Sequence, residues 1–244
     1  MNRTNQSGFT LVEIAIVLVI IGLLLGGILK GQELINSARV RNLADTTSGV
    51  QAAYFGFVDR YRQVPGDWGS ANAIVGIGQA GLTGGNENGE IDHAGVGGSD
   101  PWEEPLAMWE QLSAAGFIQG AYTPSAAAPT AGDNAAPENP FNGLVLVGRT
   151  FDYIGTGTGA VPRRHVVIGR FVPVDIMQEL DTKMDDGRPE TGDLRGATAA
   201  ASAAPNGFGN AWSEGQAACV NVTPTPSVWN VTNDSQDCNG VFFF

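Results

Sequence analysis

From Phe9 to Leu29 runs an apolar segment interrupted by one charge, Glu13, and no other stretch restricts the fold as strongly. As a helix this segment would rise about 31 Å, enough to cross a hydrocarbon core. A carboxylate inside it would cost about 2.5–3.5 kcal/mol on insertion scales, so Glu13 reads as a residue with a task. A secretory signal peptide would place its cleavage site after the apolar core, following small residues. Gly22, Gly26 and Gly27 are small, but Lys30 and a continuing helical pattern follow them. A plain signal anchor explains the length and leaves Glu13 and the Gly8-Phe9 junction without a reason.

Beyond Lys30 the helical signal persists. Leu34, Ala38, Leu43, Val50, Tyr54, Phe57 or Val58 and Tyr61 recur at three- and four-residue steps, with Glu33, Arg39, Arg41, Asp45 and Arg60 between them. One helix is predicted from about Thr10 to Tyr61, near 78 Å long at about 1.5 Å per residue. Its first half is apolar all round and must meet lipid or other helices, while its amphipathic second half packs on a head. Pro65-Gly66 ends it. The expected organisation is a stem over 9–61 with a transmembrane segment at 9–29, and a globular head over 62–244. About 180 residues suffice for a head with its own core.

Within the head, 67–100 is rich in Gly, Asn and Asp and reads as loop. Asp100-Pro101-Trp102-Glu103 opens a second helix with an acidic cap and an early proline. Leu106, Trp109 and Leu112 form its buried stripe, and Gly116 stops it. Residues 123–140 read as an irregular connection. Leu144–Val147 and Val166–Val172 are predicted strands by β-branched content, with Phe151–Ile154 a weaker one. Pro173 to Met184 reads as a short helix ended by Asp185-Asp186-Gly187. The fold class that follows is α+β with a helical stem.

Charge excludes some partners. The net charge is −12, and between Arg62 and Arg149 there is no Lys or Arg against ten Asp and Glu. Such a surface repels phosphates, so no nucleic acid is expected as a partner, with Arg163-Arg164-His165 a small local exception. The only cysteines, Cys219 and Cys238, lie near the C-terminus. A segment that exports everything after it puts them in an oxidising compartment, where one intramolecular pairing would be worth about 3 kcal/mol. The alternative is two buried thiols.

Gly84-Gly85-Asn86-Glu87-Asn88-Gly89-Glu90-Ile91-Asp92 has oxygen-bearing side chains at alternate positions, then a turn glycine and an apolar residue, as calcium loops do. Asn86, Asn88, Glu90 and Asp92 are therefore the metal candidates and calcium the only cofactor considered. Gly84 and Gly95 occupy the places where such a loop wants its first Asp and its bidentate Glu; Glu103 or Glu104 could supply the latter from elsewhere. Gly76-Ile77-Gly78-Gln79-Ala80-Gly81 matches a dinucleotide fingerprint formally, but no helix is expected after it. His93 and His165 lie far apart, and no nucleophile elbow occurs. Asp181, Asp185, Asp186, Glu190 and Asp193 read as a solvated turn. No catalytic residue and no enzyme activity are expected.

The run Ser7-Gly8-Phe9-Thr10-Leu11-Val12-Glu13 resembles the N-terminus of type IV pilins and of the pseudopilins of type II secretion. The resemblance implies that residues 1–8 are a leader, that a prepilin peptidase cuts after Gly8 and methylates the amine of Phe9, and that Glu13 pairs with that amine on a neighbouring subunit. It also implies a small antiparallel sheet and a disulfide loop at Cys219–Cys238. Leu112–Ile118 and Asp185–Gly192 look like stretches of large pilin-like proteins of proteobacteria. Many major pilins carry proline where this chain has Lys30, a departure that favours an accessory subunit.

The function implied is a structural subunit of a type IV pilus-like filament. Alternatives are a type II secretion pseudopilin, or an anchored or tip-located adhesin whose head is a binding module. Implied partners are prepilin peptidase, other pilin subunits and the inner-membrane assembly machinery. The implied location is the inner membrane with a periplasmic head, then the pilus or pseudopilus, with the cell surface as its outermost destination.

Overall fold

The computed structural model describes residues 10–92, 102–125, 128–130, 132–150, 153–155, 163–197, 216–223 and 226–244. They fall into two compact units, Met1–Arg39 and Val40–Phe244. Helix α1, Leu11–Tyr61, contributes to both. In the first unit every residue from Leu11 to Lys30 is exposed, and Leu11 and Leu23 keep 91 % and 73 % of their surface. A helical segment apolar on every side calls for a cover of lipid or other helices. Among the described residues, α1 alone is long and apolar enough to cross a membrane, by length and composition.

The second unit begins inside α1. Val40, Leu43, Thr47, Val50, Ala53, Tyr54 and Phe57 are buried, at spacings that put them on one face. After α1 come α2 (Ser70–Ile77), α3 (Glu103–Ala114), β1 (Leu146–Thr150), β2 (Arg163–Val167) and α4 (Val174–Met184). Then follow β3 (Leu194–Gly196), α5 (Gln216–Cys219), β4 (Val220–Asn221), β5 (Val228–Trp229), a 3₁₀ turn (Val231–Asn233) and β6 (Gly240–Phe243). Four strands form an antiparallel sheet in the order β1-β2-β6-β3, with Leu146 opposite Val167 and Val166 opposite Phe242. β4 and β5 form a separate ribbon.

Two apolar clusters hold the unit together. Val50, Tyr54 and Phe57 meet Trp68, Trp109, Leu112 and the sheet residues Leu146, Val166 and Val241. Val40 and Leu43 meet Ile168, Met177, Leu180, Leu194, Trp229 and both cysteines. Each such side chain contributes about 1.5–3 kcal/mol on burial. The Cys219–Cys238 disulfide is present, with Cα atoms 5.6 Å apart. An α+β fold with a small antiparallel sheet and a disulfide near its C-terminus is thus what the sequence implied.

Several boundaries differ from expectation. The stretch 67–100 is not all loop: Ser70–Ile77 is helical, because Ala73 is fully buried and Gly69 and Gly78 bracket a run compatible with a helix. β1 is displaced from Leu144–Val147 to Leu146–Thr150, since Leu144 and Val145 instead bond the chain at Glu138 and Pro137. β2 is Arg163–Val167 rather than Val166–Val172. Two buried asparagines end it: Asn139 Nδ2 donates to Ile168 O at 3.0 Å, and Gly169 N–H donates to Asn239 Oδ1 at 3.0 Å. Tyr153 and Ile154 lie outside the named strands, Tyr153 making an isolated bridge to Ala197, while Phe151 lies outside the described residues.

α3 and α4 match closely. Asp100 and Pro101, read as the start of α3, lie outside the described residues. At the other end Gly116 takes φ +79°, with Phe117 N–H donating to Leu112 O at 3.0 Å, the six-to-one bond of a Schellman cap.

Candidate functional site

The N-terminal site starts from a four-residue pattern, Thr10-Leu11-Val12-Glu13. Thr10 precedes the helix and Glu13 sits three residues on, the spacing of a capping box. Thr10 N–H and Thr10 Oγ1 both donate to Glu13 Oε2 at 2.8 Å, and Glu13 N–H donates back to Thr10 Oγ1 at 3.3 Å. These bonds satisfy donors that a helix start leaves open, and place a negative charge at the positive end of the helix dipole. Both accepting bonds from Thr10 use Oε2. Gly8 and Phe9 lie outside the described residues. Thr10 is the partner that sequence reading missed, although S/T-x-x-E before an apolar run is its signal.

The predicted calcium loop is built around two carboxylates from other segments. Asp67 Oδ1 and Oδ2 accept the N–H groups of Asn88 and Gly89, at 3.0 and 2.7 Å. Glu104 Oε1 and Oε2 accept those of Asn86 and Asp92, at 3.1 and 2.7 Å. Glu104 is 1 % exposed, and burial, with Asp67 and Asp92 nearby, pushes its carboxyl up to about 7. Burial raises Asp67 as well, against the bonds it accepts.

The four metal candidates have protein partners. Asn86 Oδ1 accepts from Asn88 N–H at 3.0 Å and Asn88 Oδ1 from Glu90 N–H at 2.9 Å. Asn88 Nδ2 donates to Asp92 Oδ2 at 2.5 Å, and Glu90 forms an ion pair with Arg149 at 2.6 Å. Gly84 has a packing reason: a Cβ there would collide with Trp68 O and Ser70 N. Asp67 was missed, since it lies 19 residues before Asn86 and only the fold brings it there.

The other carboxylate cluster holds its turn. Asp185 accepts the N–H groups of Asp193 and Leu194, and Asp186 that of Arg188. Glu190 accepts Ser227 N–H at 2.8 Å. Buried Asp181 accepts Trp229 Nε1–H at 2.7 Å, and burial raises it to about 6. Carboxylate oxygens of Asp181, Asp185 and Asp186 lie within 4.8 Å of one another, close enough for a cation. His165 is fully buried and pushed down to about 4, so it stays neutral, while His93 lies outside the described residues. Nothing in this set pairs a nucleophile with a base.

Residues 3–29 match the family model described as the prokaryotic N-terminal methylation motif, the cleavage signature of prepilin-type proteins. The match covers the Gly8-Phe9 junction, Glu13 and the apolar part of α1. It supports a type IV pilin-like or pseudopilin protein, a family that is structural rather than enzymatic. No curated protein and no solved structure matches the chain.

Proposed function

We propose that this pilin-like chain is a structural subunit of a type IV pilus-like filament, cut after Gly8, methylated on Phe9 and assembled through α1. The observation that carries the reading is the coincidence of the methylation motif over residues 3–29 with an apolar helical segment, Leu11 to Lys30, exposed on every side and carrying a single carboxylate. In the membrane, lipid covers that helix. In a filament, neighbouring copies of the helix do. Glu13 then takes the methylated amine of an adjacent subunit as a second partner. An ammonium and a carboxylate buried together cost far less than either buried alone. The head, Val40 onward, lies outside the membrane, where its disulfide is stable.

Assembly in a type II secretion pseudopilus would use the same N-terminal chemistry and differ only in the machine served. Intact mass of the chain from cells with active prepilin peptidase tests the processing step. A product beginning at methylated Phe9 is expected, and a species that retains Met1 to Gly8 would overturn the reading. Recovery of the chain in sheared surface filaments then identifies a pilus subunit, whereas loss of exoprotein secretion on deletion identifies a pseudopilin.

A further inference from the structure

Four Asn-Gly pairs occur in the chain: Asn88-Gly89, Asn142-Gly143, Asn206-Gly207 and Asn239-Gly240. In such a pair the glycine's backbone nitrogen can attack the asparagine's side-chain carbonyl carbon, because a residue without Cβ lets the two groups approach. The dipeptide alone does not decide whether this happens in a folded chain. Its surroundings do, and they differ from pair to pair.

Asn239 is 2 % exposed, and its Oδ1 accepts Gly169 N–H at 3.0 Å. Asn142 is exposed, but Gly143 is buried, and its N–H donates at 2.9 Å to the amide oxygen of Asn139, which is no base. Gly143 is also walled in, since a Cβ there would collide with Arg170 O. Asn206 and Gly207 lie outside the described residues.

Asn88-Gly89 differs on each count. Both residues are exposed, and nothing lies within 4 Å of where a Gly89 Cβ would stand. Gly89 N–H donates at 2.7 Å to Oδ2 of Asp67, a buried carboxylate whose Oδ1 is tied to Asn88 N–H. Asn88 Oδ1 accepts Glu90 N–H at 2.9 Å, a donor on the oxygen where negative charge would develop. Asn88 Nδ2 donates to Asp92 Oδ2 at 2.5 Å. The attacking nitrogen thus has a base, the carbonyl oxygen a donor and the departing nitrogen an acceptor that orients it, all within hydrogen-bond reach.

We infer that the chain modifies itself at Asn88. Asp67 takes the proton of Gly89 N as that nitrogen bonds to Asn88 Cγ. The bond from Cγ to Nδ2 breaks, the proton passes through water to Nδ2, and ammonia leaves. The product is a cyclic succinimide. Water then opens the ring at either carbonyl, adding its hydroxyl to carbon and its proton to nitrogen, and leaves an aspartyl or isoaspartyl residue at position 88. Water is the only co-reactant. Where an amide donated to Asp92, a second carboxylate now stands, so the bond across the loop is lost and a charge repulsion replaces it. The inference is independent of the filament reading.

The test incubates the freshly purified full-length chain in detergent at neutral pH, with a chelator, in heavy-oxygen water, and maps its peptides by mass spectrometry. Label entering position 88 about tenfold or more faster than positions 142 and 239 is expected, a modest share of what a positioned base supplies. In urea, where the folded surroundings are gone, position 88 should lose that lead. Asp67→Asn keeps the size of the side chain and removes the base, and it should slow the reaction about tenfold. A purely structural Asp67 gives the opposite sign, because a loosened loop frees Asn88 to react faster.

No label at position 88, equal labelling at 142 or 239, or a lead that persists in urea would overturn the inference. So would an Asp67→Asn chain that reacts as fast as wild type or faster while keeping a cooperative melting transition. If that variant does not fold, the comparison of the wild-type chain with and without urea still decides.

Discussion

Glu13 has two separable tasks, and single-residue changes tell them apart. It caps α1 through Thr10, and in the proposed filament it pairs with a neighbour's amine. Thr10→Ala removes the hydroxyl from the cap, costing about 1 kcal/mol at one helix end, and keeps the charge. Glu13→Gln keeps an acceptor for Thr10 and removes the charge. Thr10→Ala is therefore expected to enter filaments at near wild-type levels. Glu13→Gln should be cleaved and membrane-inserted but excluded from filaments, because an unpaired buried ammonium costs about 3–5 kcal/mol. The ratio of sheared filament to membrane protein by immunoblot checks both. Equal exclusion of the two variants would assign Glu13 to the cap alone.

Glu104 sets a pH response. Its carboxyl is held at about 7 in the fold, against an ordinary value near 4.5. The folded state binds that proton more tightly than the unfolded state does. The stabilisation is complete below about pH 4.5 and is lost as pH rises to 7. Asp181, at about 6, acts in the same direction over a lower range. Urea unfolding of the full chain should show the head more stable at pH 5.5 than at 7.5, by about 1–3 kcal/mol, with a flatter profile in Glu104→Gln. Calcium bound by Asn86, Asn88, Glu90 and Asp92 beside Glu104 would keep it ionised and flatten the wild-type profile too. About 5 mM calcium that leaves both the slope and the melting temperature unchanged would reduce the loop to a turn.

At the scale of elements, the disulfide ties the segment ahead of the β4–β5 ribbon to the segment ahead of β6. Both cysteines sit in the cluster with Leu43, Met177 and Trp229. Cys219→Ser should lower head stability by about 2–4 kcal/mol, seen as a lower melting temperature and a reduced steady-state level. An unchanged melting temperature would mean that packing alone holds that end.

α1, α3 and α4 were legible because their apolar stripes recur at helical spacing and their ends carry punctuation such as Gly116. α2 was obscured by the glycines around it, which suggested loop although two of them bracket the helix. The shifted ends of β2 depend on Asn139 and Asn239, whose bonds cross 29 and 70 residues of sequence. No local pattern announces such contacts. The same holds at the sites: Glu13 and the Gly8-Phe9 junction are linear motifs, while the bonds of Asp67 and Glu104 to the 86–92 loop exist only once distant segments meet.

For the whole molecule, the proposed processing would precede everything else. Gly8→Leu should leave the precursor uncut, detectable as a mass retaining Met1, and with it the chain absent from sheared filaments. The charge of −12 adds a second expectation. Like-charged heads repel and salt screens that repulsion, so filaments held by apolar helices should be at least as stable at high salt as at low. Sedimentation of purified filaments at about 0.05 and 0.5 M salt checks this, and release of subunits at the higher salt would assign the hold to ion pairs between heads.

The position of β6 has a consequence for how the head is made. Residues 240–243 lie between β2 and β3, so among the described strands β3's partner in the sheet is the last in chain order. A chain threaded across a membrane with α1 leading exposes β2 and β3 before the strand that joins them has emerged. During that interval β2 and β3 each present an unpaired edge to whatever is nearby. In the proposed reading, export is thus a race between the arrival of residues 240–243 and capture by proteases or chaperones. A chain stalled or truncated before Gly240 should be cleared by periplasmic proteolysis even with its membrane helix and cysteines intact.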